Sequence, residues 1–500
     1  MSAESTCPSM VAAQLVYNDR MDILRNFING SYQAPVNQNY IDNIEPASGQ
    51  VYGQIPDSDQ ADVELAVAAA ENAFPAWQAM PIEQRADILY AIGLGIEANL
   101  EKLARAEAID NGKPVSLAAS VDIPRAASNF KFFAHACSQF ASESHSMTES
   151  ATNYTLRQAI GVVACISPWN LPLYLFTWKI APALATGNCV IAKPSEITPK
   201  TAELLGEICQ QAGLPDGVLN ILHGRGASVG SAICNHPKVK AISFTGGTAT
   251  GAAIASQVAP TFKKLSLELG GKNPALIFAD CDFEDTVEQV FKASFSNQGQ
   301  ICLCASRIYI ERSIYEKFKL ALVEKAQQLT PQDPLDDDAK MGALVSAEHL
   351  QKVLGFIELA KQEGGTILAG GEQVVLTGRC EAGYFMQPTV IEGLDNQAQC
   401  NQQEIFGPVI TIQAFDSDEQ ALALANESQY GLAATIWTSD LKRAHRLSEQ
   451  LKTGIVWVNC WLLRDLRTPF GGMNHSGVGR EGGLEAMRFF TEAKNVCIKY

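Results

Sequence analysis

Three short stretches carry residues whose types and spacing could attack a carbonyl. SFSNQGQICLCASR, residues 294–307, places Cys302 and Cys304 behind a polar turn containing Gly299. A thiol at such a turn can be exposed, with its thiolate stabilised by nearby backbone N–H groups. Intracellular cysteines are more often buried and inert, and with 13 in the chain that reading competes for each of them. Residue physics alone does not separate Cys302 from Cys304; the latter is open to a packing role or to trapping its neighbour in an oxidised state.

LSLELGGKNP, residues 265–274, sets Glu268 at the end of a run that is apolar on alternate positions, just before Gly270 and Gly271. Such a carboxylate is either satisfied by backbone or lysine, or it is a partly buried general base whose movement uses the flexible glycines. In ISPWNLPLY, residues 166–174, an apolar strand ends in a Pro-Trp-Asn loop. Asn170 there either turns back onto its own backbone or donates its amide to a developing oxyanion.

Positioning these residues requires a scaffold, and its outline is readable. Between Gly161 and Gly271 the runs GVVACI, CVIAK, VLNIL, AISFT and KLSLEL alternate with helix-like stretches. That alternation predicts βαβ units on a parallel sheet. Thr198 is expected to cap a helix with Pro199 at its first position, and the run stops at Gly213 and Pro215. Residues from about 60 to 140 read as helices covering the sheet. A second series, NPALIF, SRIYIE, PVITIQAF, LAATIWT and GIVWVN, predicts a second α/β unit with a helix near 315–328. The segments 142–160 and 487–500 hold short strand-like runs, NYTLRQ and NVCIKY, expected at an edge that could pair with another subunit.

Composition narrows the class. A chain of 500 residues, 47% hydrophobic and 18% charged, can bury large cores in two or three domains. Its net charge of −16 argues against a nucleic-acid partner, while still allowing a local basic pocket for an anion. Scattered single cysteines give neither a zinc pair nor a disulfide framework, so no metal is expected and a reducing compartment fits. The N-terminal stretch before Arg20 resembles neither a secretory signal nor a transit peptide, and no apolar run is long enough to span a bilayer. The expected location is the cytosol, with no membrane partner.

In order along the chain, PWN (168–170), KPSE (193–196), FTGG (244–247), ELGGKNP (268–274), NQGQIC (297–302), EIFGPV (404–409) and PFGG (469–472) resemble the aldehyde dehydrogenase superfamily. The resemblance runs from about Asn26 to Tyr500. It implies a Rossmann-type NAD-binding domain (1–141 and 161–269), an α/β catalytic domain (270–486), and small oligomerisation strands (142–160 and 487–500) of a homodimer or homotetramer. It makes Cys302 the nucleophile, Glu268 the base, and Asn170 the oxyanion donor together with the backbone N–H of Cys302. A glutamate at 268 implies hydrolysis of the thioester rather than transfer to coenzyme A.

By the same resemblance NAD is the cofactor, contacted by Ser167, Trp169, Lys193, Ser195, Glu196, Gly226, Gly230, Phe244, Gly246, Gly247, Thr248, Leu269, Glu404 and Phe406. Lys193 and Glu196 fall on the adenosine ribose, and an acidic residue there disfavours a 2′-phosphate. Gly247 stands where the superfamily commonly has serine, so a side-chain hydrogen bond to phosphate is expected to be missing. DIPR and NCWLLRDLRTPFGG further resemble the 2-aminomuconic and 2-hydroxymuconic 6-semialdehyde dehydrogenases, in which the residues matching Arg125 and Arg464 hold the substrate carboxylate. Arg467 is a possible helper. The resemblance thus implies a small anionic semialdehyde as substrate. Broader retinal, betaine-aldehyde or aliphatic specificity, and a non-catalytic crystallin-like role, are the competing readings.

Overall fold

The computed structural model describes residues 21–500, so the reading of the N-terminal 19 residues lies outside the described part. Two large sheets carry the molecule. The first contains β1 (Asn26–Ile28), β2 (Ser31–Gln33), β3 (Val162–Ile166), β4 (Cys189–Lys193), β5 (Leu219–Ile221), β6 (Val239–Thr245) and β7 (Lys264–Glu268). Its five central strands run parallel in the order β7-β6-β3-β4-β5, with the antiparallel pair β1 and β2 added beyond β5. These strands are near-continuously apolar because helices cover both faces.

The covering helices include α1 (Gln60–Ala79), α2 (Ile82–Ala98), α3 (Leu100–Asn111), α4 (Ile123–Cys137), α5 (Pro172–Ala185), α6 (Lys200–Gln211) and α7 (Thr248–Val258). The long helical run read from the sequence between 84 and 112 is broken at Asn99, whose side-chain amide donates to the Gly95 carbonyl. Thr198 does not cap α6. Its hydroxyl donates to the Trp169 carbonyl, and Pro199 sits just before the helix rather than inside it.

The second sheet holds β8 (Asn273–Ile277), β9 (Ala305–Glu311), β10 (Thr366–Ala369), β11 (Thr389–Glu392), β12 (Val409–Phe415), β13 (Ala433–Trp437) and β14 (Ile455–Val458), in the order β10-β11-β12-β9-β8-β13-β14. All neighbours are parallel except β10 with β11. Only residues 269–272 separate the end of β7 from the start of β8, so the carboxyl edge of one sheet faces the amino edge of the other. The chain later returns: β15 (Gly477–Val478) pairs antiparallel with β7, and Ala486, Met487 and Phe490 join the first core.

The strands Ser144–Met147, Ala151–Ala159 and Thr491–Lys499 form a separate antiparallel sheet, largely exposed. Residues 487–489 end a helix, Gly483–Phe489, so the C-terminal strand starts later than its sequence pattern suggests. A small sheet built from Asp22–Ile23, Tyr40–Glu45 and Gln50–Pro56 has no counterpart in the sequence reading. Among the described residues, no helix is long and apolar enough to cross a membrane.

Candidate active site

Strand order in the first sheet reverses between β3 and β6, because β4 and β5 extend to one side of β3 while β6 and β7 extend to the other. Open α/β sheets bind ligands outside the carboxyl ends of strands at such a switch point. A cavity of about 220 Å³ lies there, lined by Pro168, Trp169 and Asn170 after β3, by Thr245, Gly246 and Gly247 after β6, and by Leu269 and Gly270 after β7. His349 and Lys352 of the helix Ala347–Gln362, and Cys302, Glu404 and Phe406 on loops, close it from the other side.

Asn297 and Gln298 adopt left-handed backbone, with φ of 51° and 56°, and turn the chain sharply ahead of Cys302. Backbone held in that region is typical of functional sites. Cys302 reaches the cavity, whereas Cys304 is 7% exposed and packs into the second core. The structure therefore separates the two thiols that residue physics could not. Neither thiol is acidified. Burial pushes the Cys304 thiol up to about 12. Burial also raises Cys302, the Glu404 and Glu268 carboxylates add to the rise, and Arg464 only partly offsets it. The expected thiolate stabilisation is thus not a property of the resting site, and Cys302 must lose its proton to a base.

The Asn170 side chain is 3% exposed and donates to the Gln300 carbonyl at 2.9 Å, not to its own backbone. An amide has two N–H donors, so one remains for the cavity. Glu268 ends β7 at 4% exposure, and neither carboxylate oxygen has a hydrogen-bond partner. That excludes the satisfied-carboxylate reading. Burial, then the nearby Glu481 carboxylate, hold this carboxyl well above the usual range, while Lys179 and Arg464 pull it back. Lys179 and Glu481 are themselves paired at 2.6 Å. Glu268 does not line the cavity, so in this conformation it sits behind the thiol's chamber.

Phe406 has a left-handed backbone, φ 62°, and stacks edge-on with Trp169, ring centroids 5.2 Å apart. His349 meets the same indole at 5.2 Å and contacts the Phe406 carbonyl at 2.7 Å. Glu404 accepts the Gly271 N–H at 2.9 Å, and a Cβ on Gly270 would stand 2.2 Å from its carboxylate. The glycine pair therefore admits Glu404 closely, a use distinct from the flexibility expected for Glu268.

Away from the cavity, Lys193 Nζ binds Glu196 at 2.8 Å, and Glu196 accepts the Gly226 N–H at 3.2 Å. Burial raises the Glu196 carboxyl, but Lys193 more than offsets this and keeps it below the usual range. Ser195 Oγ accepts the Ile197 N–H at 3.3 Å, and the Ser167 N–H donates to the Lys193 carbonyl at 3.1 Å. Gly226 and Gly230 bound a π-turn whose second glycine lies near Lys193. Phe244 is buried under Gly246, and the Thr248 hydroxyl donates to the His475 carbonyl at 3.4 Å. A Cβ on Gly247 meets nothing within 4 Å, so a serine would fit and the glycine is not required sterically.

Arg125 and Arg464, far apart in sequence, flank one ring: their guanidinium carbons lie 5.8 and 6.0 Å from the centroid of Tyr174. Arg464 also covers Phe470 at 3.8 Å and Trp178 at 4.4 Å, and donates to the Tyr174 hydroxyl. Its Nη2 is buried and has no partner. An open depression of about 990 Å³ is lined in part by Phe132, Leu463 and Arg464. Arg467 is exposed and bound to Asp465 at 2.6 Å, away from Tyr174.

A sequence model described as the aldehyde dehydrogenase family matches residues 32–496. The chain belongs to that family. It is 48% identical to a 2-aminomuconic semialdehyde dehydrogenase of Danio rerio, over 96% of this chain and 98% of the relative. Identity to a 2-hydroxymuconic semialdehyde dehydrogenase of Pseudomonas sp. (strain CF600) is 45%, over 96% of this chain and 100% of the relative. The NAD+ complex of an aldehyde dehydrogenase from Bacillus cereus superposes with a TM-score of 0.93 at 37% identity, covering 96% of this chain and 97% of that one.

In an aldehyde dehydrogenase the switch-point cavity must admit a dinucleotide, and the residues present fit one. Helix α7 starts at Gly247 without a side-chain cap, leaving its first N–H groups for a diphosphate. Ser167 Oγ and Thr245 Oγ1 are buried and unpartnered at the ends of β3 and β6. Site residues that escaped the sequence reading include Tyr174, Lys179, His349, Lys352 and Glu481. Tyr174 and Lys179 sit in PLYLFTWK, where an aromatic and a lysine amid apolar neighbours on a buried helix were the available signal.

Proposed function

We propose that this enzyme oxidises an anionic semialdehyde of the 2-aminomuconic type to its acid, with Cys302 as nucleophile and the Arg125–Arg464 pair as carboxylate receptor. The observation that carries the substrate assignment is the Arg464 Nη2, buried and unpartnered between rings that hold the guanidinium in place. A buried charged donor left unsatisfied is costly, and a substrate carboxylate is the group that satisfies it. The relatives named for muconic semialdehydes support the same class, and the 45% relative makes 2-hydroxymuconic semialdehyde the second reading.

The chemistry follows from the residues. Cys302, after losing its proton, adds to the aldehyde carbon, and the alkoxide is held by the free Asn170 N–H and the Cys302 backbone N–H. NAD, when bound, supplies the hydride acceptor. Glu268 then takes a proton from the water that attacks the thioester, releasing the acid and restoring the thiol. For this it swings from its place beside Lys179 and Glu481 toward the chamber. Trp169, Glu404 and Phe406 hold the nicotinamide end, while Lys193 and Glu196 hold the adenosine ribose. The exposed sheet of residues 144–159 and 491–499 offers two free edges for a dimer or tetramer.

Three expectations test this. Arg125→Ala and Arg464→Ala raise KM for a carboxylated semialdehyde far more than for an uncharged aldehyde, each by about 2–5 kcal/mol for a desolvated pair. Equal losses on both substrates in steady-state assays contradict the receptor. Glu196, charged beside the ribose position, makes kcat/KM larger with NAD than with NADP; a clear NADP advantage overturns that role. Both Glu268 and Cys302 are raised by burial, so their active, deprotonated forms accumulate only as pH rises. A kcat profile therefore climbs above neutrality, by up to about tenfold per pH unit while one group titrates; a plateau already complete at pH 6 contradicts it.

A further inference from the structure

Behind the Asn170 loop, three ionisable side chains are sealed from solvent. Lys113 and Glu107 are 0% exposed and Asp122 is 1%. Lys113 Nζ donates to Asp122, to Glu107 at 3.3 Å, and to the main-chain carbonyl of Asn170 at 3.1 Å. An ammonium has three N–H donors, so this set uses all of them. Buried ion clusters are weak contributors to stability, since apolar replacements of similar volume are often neutral or better. A role beyond stability has to come from what the cluster touches.

Each member touches an element of the site. The second oxygen of Glu107 accepts the Leu173 N–H at 3.1 Å, capping the first turn of α5, which has no side-chain cap of its own. That helix carries Tyr174 and Lys179. Asp122 closes the π-turn Ala118–Asp122, from which α4 runs on to Arg125 three residues later. The Asn170 carbonyl accepts a second hydrogen bond from Asn297 at 3.0 Å, and its side chain is tied to Gln300. With both ends fixed, the remaining amide N–H has one direction left.

We infer that Lys113 is a positioning residue for Asn170, with Glu107 and Asp122 holding its ammonium under the loop so that the free amide N–H meets the oxyanion. This rests on the reading of Asn170 as oxyanion donor. The value of such a donor lies in its preorganisation, and displacements near 1 Å are costly. Lys113 lines no substrate or cofactor cavity, and its direct contact with the site is the Asn170 carbonyl.

A double-mutant cycle separates this from general structural support. The triple change Glu107→Gln, Lys113→Met and Asp122→Asn neutralises the cluster while Gln at 107 can still accept the Leu173 N–H. In the wild-type background kcat falls by roughly 10–100-fold, with KM for NAD unchanged. In the Asn170→Ala background the same triple change costs under about threefold, because the group it positions is gone. An equal loss in both backgrounds, or no loss in the wild-type background, overturns the inference. If Asn170→Ala alone leaves kcat unchanged, the oxyanion reading fails first and takes this one with it. Asp122→Asn alone, the mildest change, shows a smaller loss with the same dependence on Asn170; a loss independent of Asn170 counts against it.

Discussion

Cys302→Ala eliminates NADH production from every aldehyde offered, a loss on the order of 10⁴-fold or more, as expected when the group that forms the covalent bond is removed. Tm and NAD binding stay close to wild type, because the thiol borders a cavity rather than filling the core. Cys304→Ser retains turnover. Cys304 is buried in the second core and does not line the switch-point cavity, so any cost is to stability. Absorbance at the NADH band measures both variants. Retained turnover in Cys302→Ala, or its loss in a folded Cys304→Ser, reverses the assignment of the two thiols.

The second large effect belongs to Glu268→Gln. The amide matches the carboxylate in size but cannot accept a proton from water, so hydrolysis slows by about 10²–10⁴-fold. Hydride loss from the first substrate molecule needs no water and continues. The variant therefore gives a burst of about one NADH per active site and then nearly stops. The amide occupies the same buried, unpartnered place without a carboxylate's charge near Glu481, so the variant stays close to wild type in stability. A steady rate equal to wild type shows that another base activates water. Loss of the burst as well places Glu268 in the first half-reaction.

The parts of this site that were legible in the sequence are those carried by short contiguous patterns. β3, β4, β6 and β7 announce themselves as apolar runs, and the loops that follow them bring Asn170, Gly246 and Glu268 to one edge whatever the details of packing. By residue type Cys302 and Cys304 could not be told apart, and only the resemblance carried by NQGQIC favoured Cys302. The structure sets them apart by surroundings that no residue type announces: Cys302 lines the switch-point cavity, and Cys304 is buried in the second core.

What stayed hidden depends on contacts across long separations. Lys179 and Glu481 lie 302 positions apart, and only the return of the chain through β15 to the first sheet brings them together. Tyr174 looks like a core aromatic until Arg125 and Arg464 are both found within 6.0 Å of its ring centre. The small N-terminal sheet was missed because its strands are half exposed and lack clear alternation. The break at Asn99 was missed because Asn within a helical pattern does not by itself stop a helix.

Cys302 is expected to carry the acyl group until water, activated by Glu268, removes it. Glu268→Gln enzyme, incubated with NAD and a carboxylated semialdehyde, then quenched in acid and digested, tests it directly by peptide mass. An acyl adduct is expected on the peptide containing Cys302, located on that sulfur and absent when Cys302 is also alanine. An adduct on Cys304, or an enzyme that turns over its first equivalent and carries no adduct anywhere, would contradict it.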